Sequence, residues 1–201
     1  MPKGNTTSAT YDTSAFAGQT IVLWFNDHDD GYAGDPTYFL LDDVALTPYT
    51  PAVNVVQNGG FETGTLSSWS ASGAFLPVAS TTAHSGSYSA RLGSTNAVNG
   101  NSTLTQQVTV PSGSPTLTFW YQPHCTDTLT YDQIQMQIRS TSGATLATVL
   151  NVCSNSGAWT QVGVNMSAYA GQTVVLWFND HDDGYAGDPT YFLLDDVALS
   201  G

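Results

Sequence analysis

Gln133-Ile134-Gln135-Met136-Gln137-Ile138-Arg139 alternates a polar with an aliphatic side chain at every step. Successive side chains of an extended strand point to opposite faces, so this run puts Ile134, Met136 and Ile138 into a core and Gln135, Gln137 and Arg139 on the other face. Working outward, the same parity separates Leu117, Phe119 and Tyr121 from Trp120 and Gln122, and Leu176 and Phe178 from Trp177. Further short runs read as strands over Leu104 to Val110, Thr116 to Gln122, Ile134 to Arg139, Thr145 to Leu150, Thr160 to Val164, Thr173 to Phe178 and Tyr191 to Leu199. No stretch keeps a helical period for more than a turn or two. Many short strands after Val53, parted by Gly, Ser, Asn and Pro, predict an all-β jelly-roll β-sandwich.

The end of this unit occurs twice. Ser14 to Leu46 repeats as Ser167 to Leu199 with two differences, Phe16 for Tyr169 and Ile21 for Val174. A period of this kind marks tandem repeats. Residues 1–46 therefore read as the truncated C-terminal part of a preceding repeat with two to three strands, 47–52 as a Pro/Thr linker and 53–200 as a complete module. Both copies carry nearly the same core-facing side chains and so compete for one place in the sandwich. The C-terminal copy is expected to dock, leaving the first as a loose hairpin or an edge strand.

Three Lys or Arg against sixteen Asp or Glu give a formal net charge of −13. That balance argues against nucleic acid and anionic membrane surfaces as partners and favours cations. No apolar run reaches the length of a spanning helix, and no signal-peptide pattern follows Met1. Cys125 and Cys153, the two cysteines of this Lys-poor chain, suggest one disulfide and an extracellular setting.

Asn58-Gly59-Gly60-Phe61-Glu62-Thr63-Gly64, Trp69, His84-Ser85-Gly86-Ser87-Tyr88-Ser89-Ala90-Arg91-Leu92 and the closing Leu194-Asp195-Asp196-Val197-Ala198-Leu199 resemble the pattern of carbohydrate-binding-module-like jelly rolls with the galactose-binding-domain fold. The unit also resembles C-terminal repeat modules of secreted bacterial sedolisin/kumamolisin-type peptidases, in which His-Asp-Asp-Gly and Gly-Asp-Pro-Thr-Tyr motifs recur. The resemblance implies a structural Ca²⁺ that ties the first strand to the last through Glu62, the Ser85 and Gly86 turn, and Asp195 or Asp196. Parity sets Asp195 on the side of Val197 and Leu199, where a carboxylate needs a partner or a metal.

Asn179-Asp180-His181-Asp182-Asp183-Gly184-Tyr185-Ala186-Gly187-Asp188-Pro189 is the densest charge cluster of the unit. It lacks the ligand spacing of an EF-hand loop. Asp180, Asp182, Asp183 and Asp188 either repel one another in a solvated loop or hold a second cation. No nucleophile elbow, zinc motif or phosphate loop accompanies His181 and Asp183, so the unit reads as non-catalytic.

Sugar-binding surfaces combine flat aromatics with amides, Arg and carboxylates. Trp120, Gln122, Gln135, Gln137, Arg139 and Trp177, with Tyr131 and Asp132 at a strand entrance, supply this mixture for a polysaccharide or glycan, provided that the Trp-bearing strands share a sheet with the Gln row. The alternative is a structural or adhesive repeat, or a peptidase appendage, whose partners are neighbouring repeats and domains.

Overall fold

The computed structural model describes residues 7–13, 16, 18–46 and 53–201. The chain divides into two compact units, Met1–Pro51 and Ala52–Gly201. The linker expected at 47–52 lies outside the described residues.

The second unit contains ten strands: β1 (Ser70–Gly73), β2 (Val78–Ser80), β3 (Ser89–Gly93), β4 (Gly100–Thr109), β5 (Thr116–His124), β6 (Gln133–Ser140), β7 (Thr145–Val152), β8 (Thr160–Asn165), β9 (Thr173–Asp182) and β10 (Tyr191–Ser200). They form two five-stranded sheets of order β1-β4-β9-β6-β7 and β2-β3-β10-β5-β8, in which the described pairings are antiparallel. This is the all-β jelly-roll sandwich that the alternation predicts. Among the described residues no helix is long and apolar enough to cross a membrane.

Ile134, Met136 and Ile138 are fully buried, as are Leu117, Phe119, Leu176 and Phe178 from the facing and neighbouring strands. Each such side chain contributes about 1.5–3 kcal/mol through removal from water. Phe178 sits at the centre, with its ring 6.0 Å from Trp69 and 5.2 Å from Phe119 in edge contacts. Cys125 and Cys153 are disulfide-bonded across a separation of 28 residues, which fixes the end of β5 against the segment after β7. Constraining a loop of that length contributes on the order of 3 kcal/mol.

All seven predicted strands form. Three short ones (β1, β2 and β3) escape the reading because Ser, Ala and Gly give them little alternation. The strands β4 and β9 also run further than their apolar patterns, since Gly100 to Thr103 pair with Asp182 to Asn179. The first four residues of the presumed acidic loop, Asn179 to Asp182, are therefore sheet.

The parity argument for Asp195 fails. The pairing of β10 with β5 shifts between Asp195 and Ala198, and Asp196 takes a left-handed backbone with φ of 49°. This bulge turns Val197 and Leu199 to the core while Asp195 stands opposite Trp120 on the outer side.

In the first unit, residues 18–46 form no strand, and the large apolar side chains Trp24, Phe25, Leu40 and Leu41 are exposed. The strands expected there do not form. A strand needs a ladder partner and a covered face, and the described residues of this unit supply neither.

Candidate functional site

The outer face of the β1-β4-β9-β6-β7 sheet is lined with amides, hydroxyls and one indole. Register places Trp177 beside Gln137 of β6 and Thr105 of β4, and Asn179 beside Gln135 and Thr103. The Arg139 guanidinium lies 3.5 Å from the centroid of the Trp177 ring. Arg139 Nε donates to Gln137 Oε1 at 2.9 Å, and Thr145 Oγ1 donates to the same oxygen at 2.9 Å. Gln135 Nε2 reaches Gln133 Oε1 at 3.0 Å and Asn151 Oδ1 at 3.3 Å. Polar groups held by one another in this way lose little freedom when a ligand arrives. Hydroxyl-bearing ligands suit such a face: the indole offers an apolar plane, and amides and guanidinium offer donors and acceptors around it.

The other aromatic residues do not join this face. Trp120 and Gln122 lie on β5 in the opposite sheet, so Gln135, Gln137, Arg139 and Trp177 come together without them. Trp120 is stacked on His84 at 3.8 Å, and Trp159 meets the same imidazole edge-on at 5.6 Å. Gln122 Nε2 donates to the carbonyl of Gly157 at 2.7 Å, and Tyr131 is exposed in the turn before β6. Nearby, His124 stacks on Tyr191 at 4.3 Å, and partial burial lowers its pKa. The His84 ring was not anticipated, because its stacking depends on a turn docked on β5.

The opening and closing motifs meet around the turn at residues 84–88. Glu62 accepts from the main-chain N–H groups of Ser87 and Tyr88, and Asp195 from those of His84, Ser85 and Asp196. Asp196 accepts from Ser85 Oγ and pairs with His84 Nδ1, each at 2.7 Å. Gly86 adopts a φ of 65°, and a Cβ there would overlap the Glu62 carboxylate. The residues implied by the resemblance are thus assembled. Main-chain N–H donors engage both the Glu62 and the Asp195 carboxylates. These bonds form a clamp between the opening and closing motifs.

A second acidic centre forms at the far end of β9. Asp132 Oδ1 accepts from Asp183 N at 2.9 Å, and its other oxygen accepts from Thr190 Oγ1. Asp182 holds Gly184 N at 2.6 Å and Thr190 N at 2.9 Å. One carboxylate oxygen from each of Asp127, Asp132 and Asp183 lies within 4.8 Å of the others. Beneath them Asp180 is 1% exposed, with its pKa pushed well up by burial and by the charges of Asp182 and Asp132. Burial likewise raises the carboxyl of Asp132, with Asp182 and Asp183 adding repulsion. The charge of Asp182 bears on Asp180, and those of Asp182 and Asp183 bear on Asp188, so these loop carboxylates stand close enough to repel one another. The sequence reading missed Asp127 and the acidic role of Asp132, which lie some fifty residues away and reach the loop through the start of β6.

No protein-family model matches the chain, and no curated protein sequence matches it. Among solved structures, the chain resembles the carbohydrate-binding module TmCBM61 in complex with β-1,4-galactotriose, at a TM-score of 0.56 and 20% identity over 73% of this chain and 97% of that one. It also resembles the enzymatically active domain of tailspike protein 4 of bacteriophage CBA120, at a TM-score of 0.53 and 16% identity, over 73% of this chain but only 21% of the tailspike chain. At these identities the likeness establishes the β-sandwich fold.

Proposed function

We propose that Ala52–Gly201 is a secreted, non-catalytic carbohydrate-binding module whose platform is the outer face of β4, β9 and β6. The observation that carries this reading is Trp177, set among Thr105, Gln137 and Arg139 on an amide-rich sheet face. The fold shared with TmCBM61, whose structure holds a galactotriose, supports it. With Arg139 as the one Lys or Arg on this face among the described residues and a net charge of −13, the ligand is a neutral polysaccharide rather than a uronic-acid or sulfated chain. The disulfide suits the oxidising setting where such polymers are met.

A second reading is favoured by the duplication: a structural repeat, such as a spacer or the appendage of a secreted peptidase. Isothermal titration against neutral galactans, xylans and glucans separates the two. Binding should fall at least about tenfold in Trp177→Ala, the scale expected when a stacked aromatic is lost, and survive Trp120→Ala. Absence of binding across a broad glycan panel would favour the repeat.

A further inference from the structure

The cluster at the far end of β9 contains more negative charge than its surroundings neutralise. Among the described residues the one ion pair is His84 with Asp196, at a different site. Among the described residues the cluster has no Lys or Arg partner. Buried carboxylates left without a counter-charge cost free energy that folding must offset, unless they are protonated or bind a cation.

Two oxygens distinguish this centre from a solvated acidic patch. Asp180 Oδ1 is inaccessible and has no hydrogen-bond partner, on a side chain 1% exposed that faces Asp132 and Asp182. Asp188 Oδ1 is likewise enclosed and without a partner, facing Asp127, Asp132, Asp182 and Asp183. Main-chain oxygen lies near the other oxygen of Asp180: a Cβ on Gly93 would overlap both Asp180 Oδ2 and the carbonyl oxygen of Thr190. Carboxylates from two chain segments, a carbonyl and orphaned oxygens make an all-oxygen donor set with no nitrogen or sulfur ligand. Hard cations with irregular coordination of 6 to 8 oxygens select such sets, and Ca²⁺ fits them better than the strictly octahedral Mg²⁺.

We propose that this centre is a Ca²⁺ site in which Asp127 and Asp132, before β6, are bridged to Asp183 and Asp188, after β9, with Asp180 beneath as a further carboxylate. The ion joins the segment that enters β6 to the loop that leaves β9. The disulfide at Cys125 fixes the chain two residues before Asp127, so one ligand-bearing segment is already anchored. Binding to the folded state alone then raises stability by mass action.

The test uses the full chain stripped with chelator and titrated calorimetrically with Ca²⁺. Asp127→Asn and Asp132→Asn are the diagnostic variants, since neither residue has a counterpart in the duplicated segment. The parent should bind Ca²⁺ and melt several degrees higher in its presence. Each variant should bind about tenfold or more weakly, as loss of one ligand implies, and should lose most of the melting shift. Asp127 is only half-buried, so its variant reports even where Asp132→Asn folds poorly. Glu62→Gln should keep the shift. Absence of Ca²⁺ binding, or binding unchanged in Asp127→Asn and Asp132→Asn, would overturn the site. Glycan titration of the same samples reads the Trp177 platform separately.

Discussion

Ser14 to Leu46 and Ser167 to Leu199 are the same sequence at all but two positions, yet one forms two central strands and the other, where described, none. What survives in both is local. Asp29 accepts from Gly31 N at 2.7 Å and Thr37 N at 2.8 Å, just as Asp182 accepts from Gly184 N at 2.6 Å and Thr190 N at 2.9 Å. Those bonds lower the pKa of Asp29. Asp30 caps Tyr32 N as Asp183 caps Tyr185 N, and Asp43 and Asp196 share a left-handed backbone at φ of 52° and 49°. Turns made by Asp, Gly and their neighbours are closed by bonds spanning a few residues. Strands are not: Trp177 gains its environment from β4 and β6, whereas Trp24 is 81% exposed. The duplicated segment encodes its turns by itself and its strands only together with the rest of a module.

The largest effect should come from core truncation. Phe178→Ala removes a ring that is 1% exposed and should cost about 3–5 kcal/mol in chemical denaturation. Phe25→Ala, at the matching position and 51% exposed, should change stability by less than about 0.5 kcal/mol. Equal losses would mean that the first copy is packed like the second.

A smaller contrast is in the pH dependence measured with chelator present. Burial raises the carboxyls of Asp180 and Asp132, each facing the other, with Asp182 beside both and Asp183 beside Asp132. A folded-state pKa above the unfolded value means that the native state holds protons the unfolded chain has released. This contribution is fully present below about pH 4, the ordinary Asp range, and is lost as pH rises through the elevated values. Stability of the chelated protein should therefore fall from mildly acidic to neutral pH. Asp180→Asn should flatten that slope. An unaltered slope in Asp180→Asn would remove the buried charge from the account.

Much of the fold was legible because alternation reports burial directly. Ile134, Met136 and Ile138 against Gln135, Gln137 and Arg139 are correctly divided, and Trp120 and Trp177 do stand on outer faces. Sheet membership was not legible, since parity gives a face but not a neighbour, and the expected set of binding residues divides between two sheets and, for Tyr131, a turn. The side of Asp195 was misread because a bulge inserts at Asp196, a shift no strict period of two contains. The acidic centre was half visible: the loop carboxylates announce themselves by density, while Asp127 and Asp132 join them only through tertiary structure.

The most direct test of the account is the pair Trp24→Ala and Trp177→Ala, identical substitutions in nearly identical local sequence, titrated with a neutral polysaccharide that the parent binds. Trp177 stands beside Gln137 and Arg139 in a formed sheet, and Trp24 lies in a segment, 18–46, that forms no strand. Trp177→Ala should reduce affinity at least about tenfold and Trp24→Ala should leave it unchanged. Full affinity in Trp177→Ala, or a comparable loss in Trp24→Ala, would contradict it.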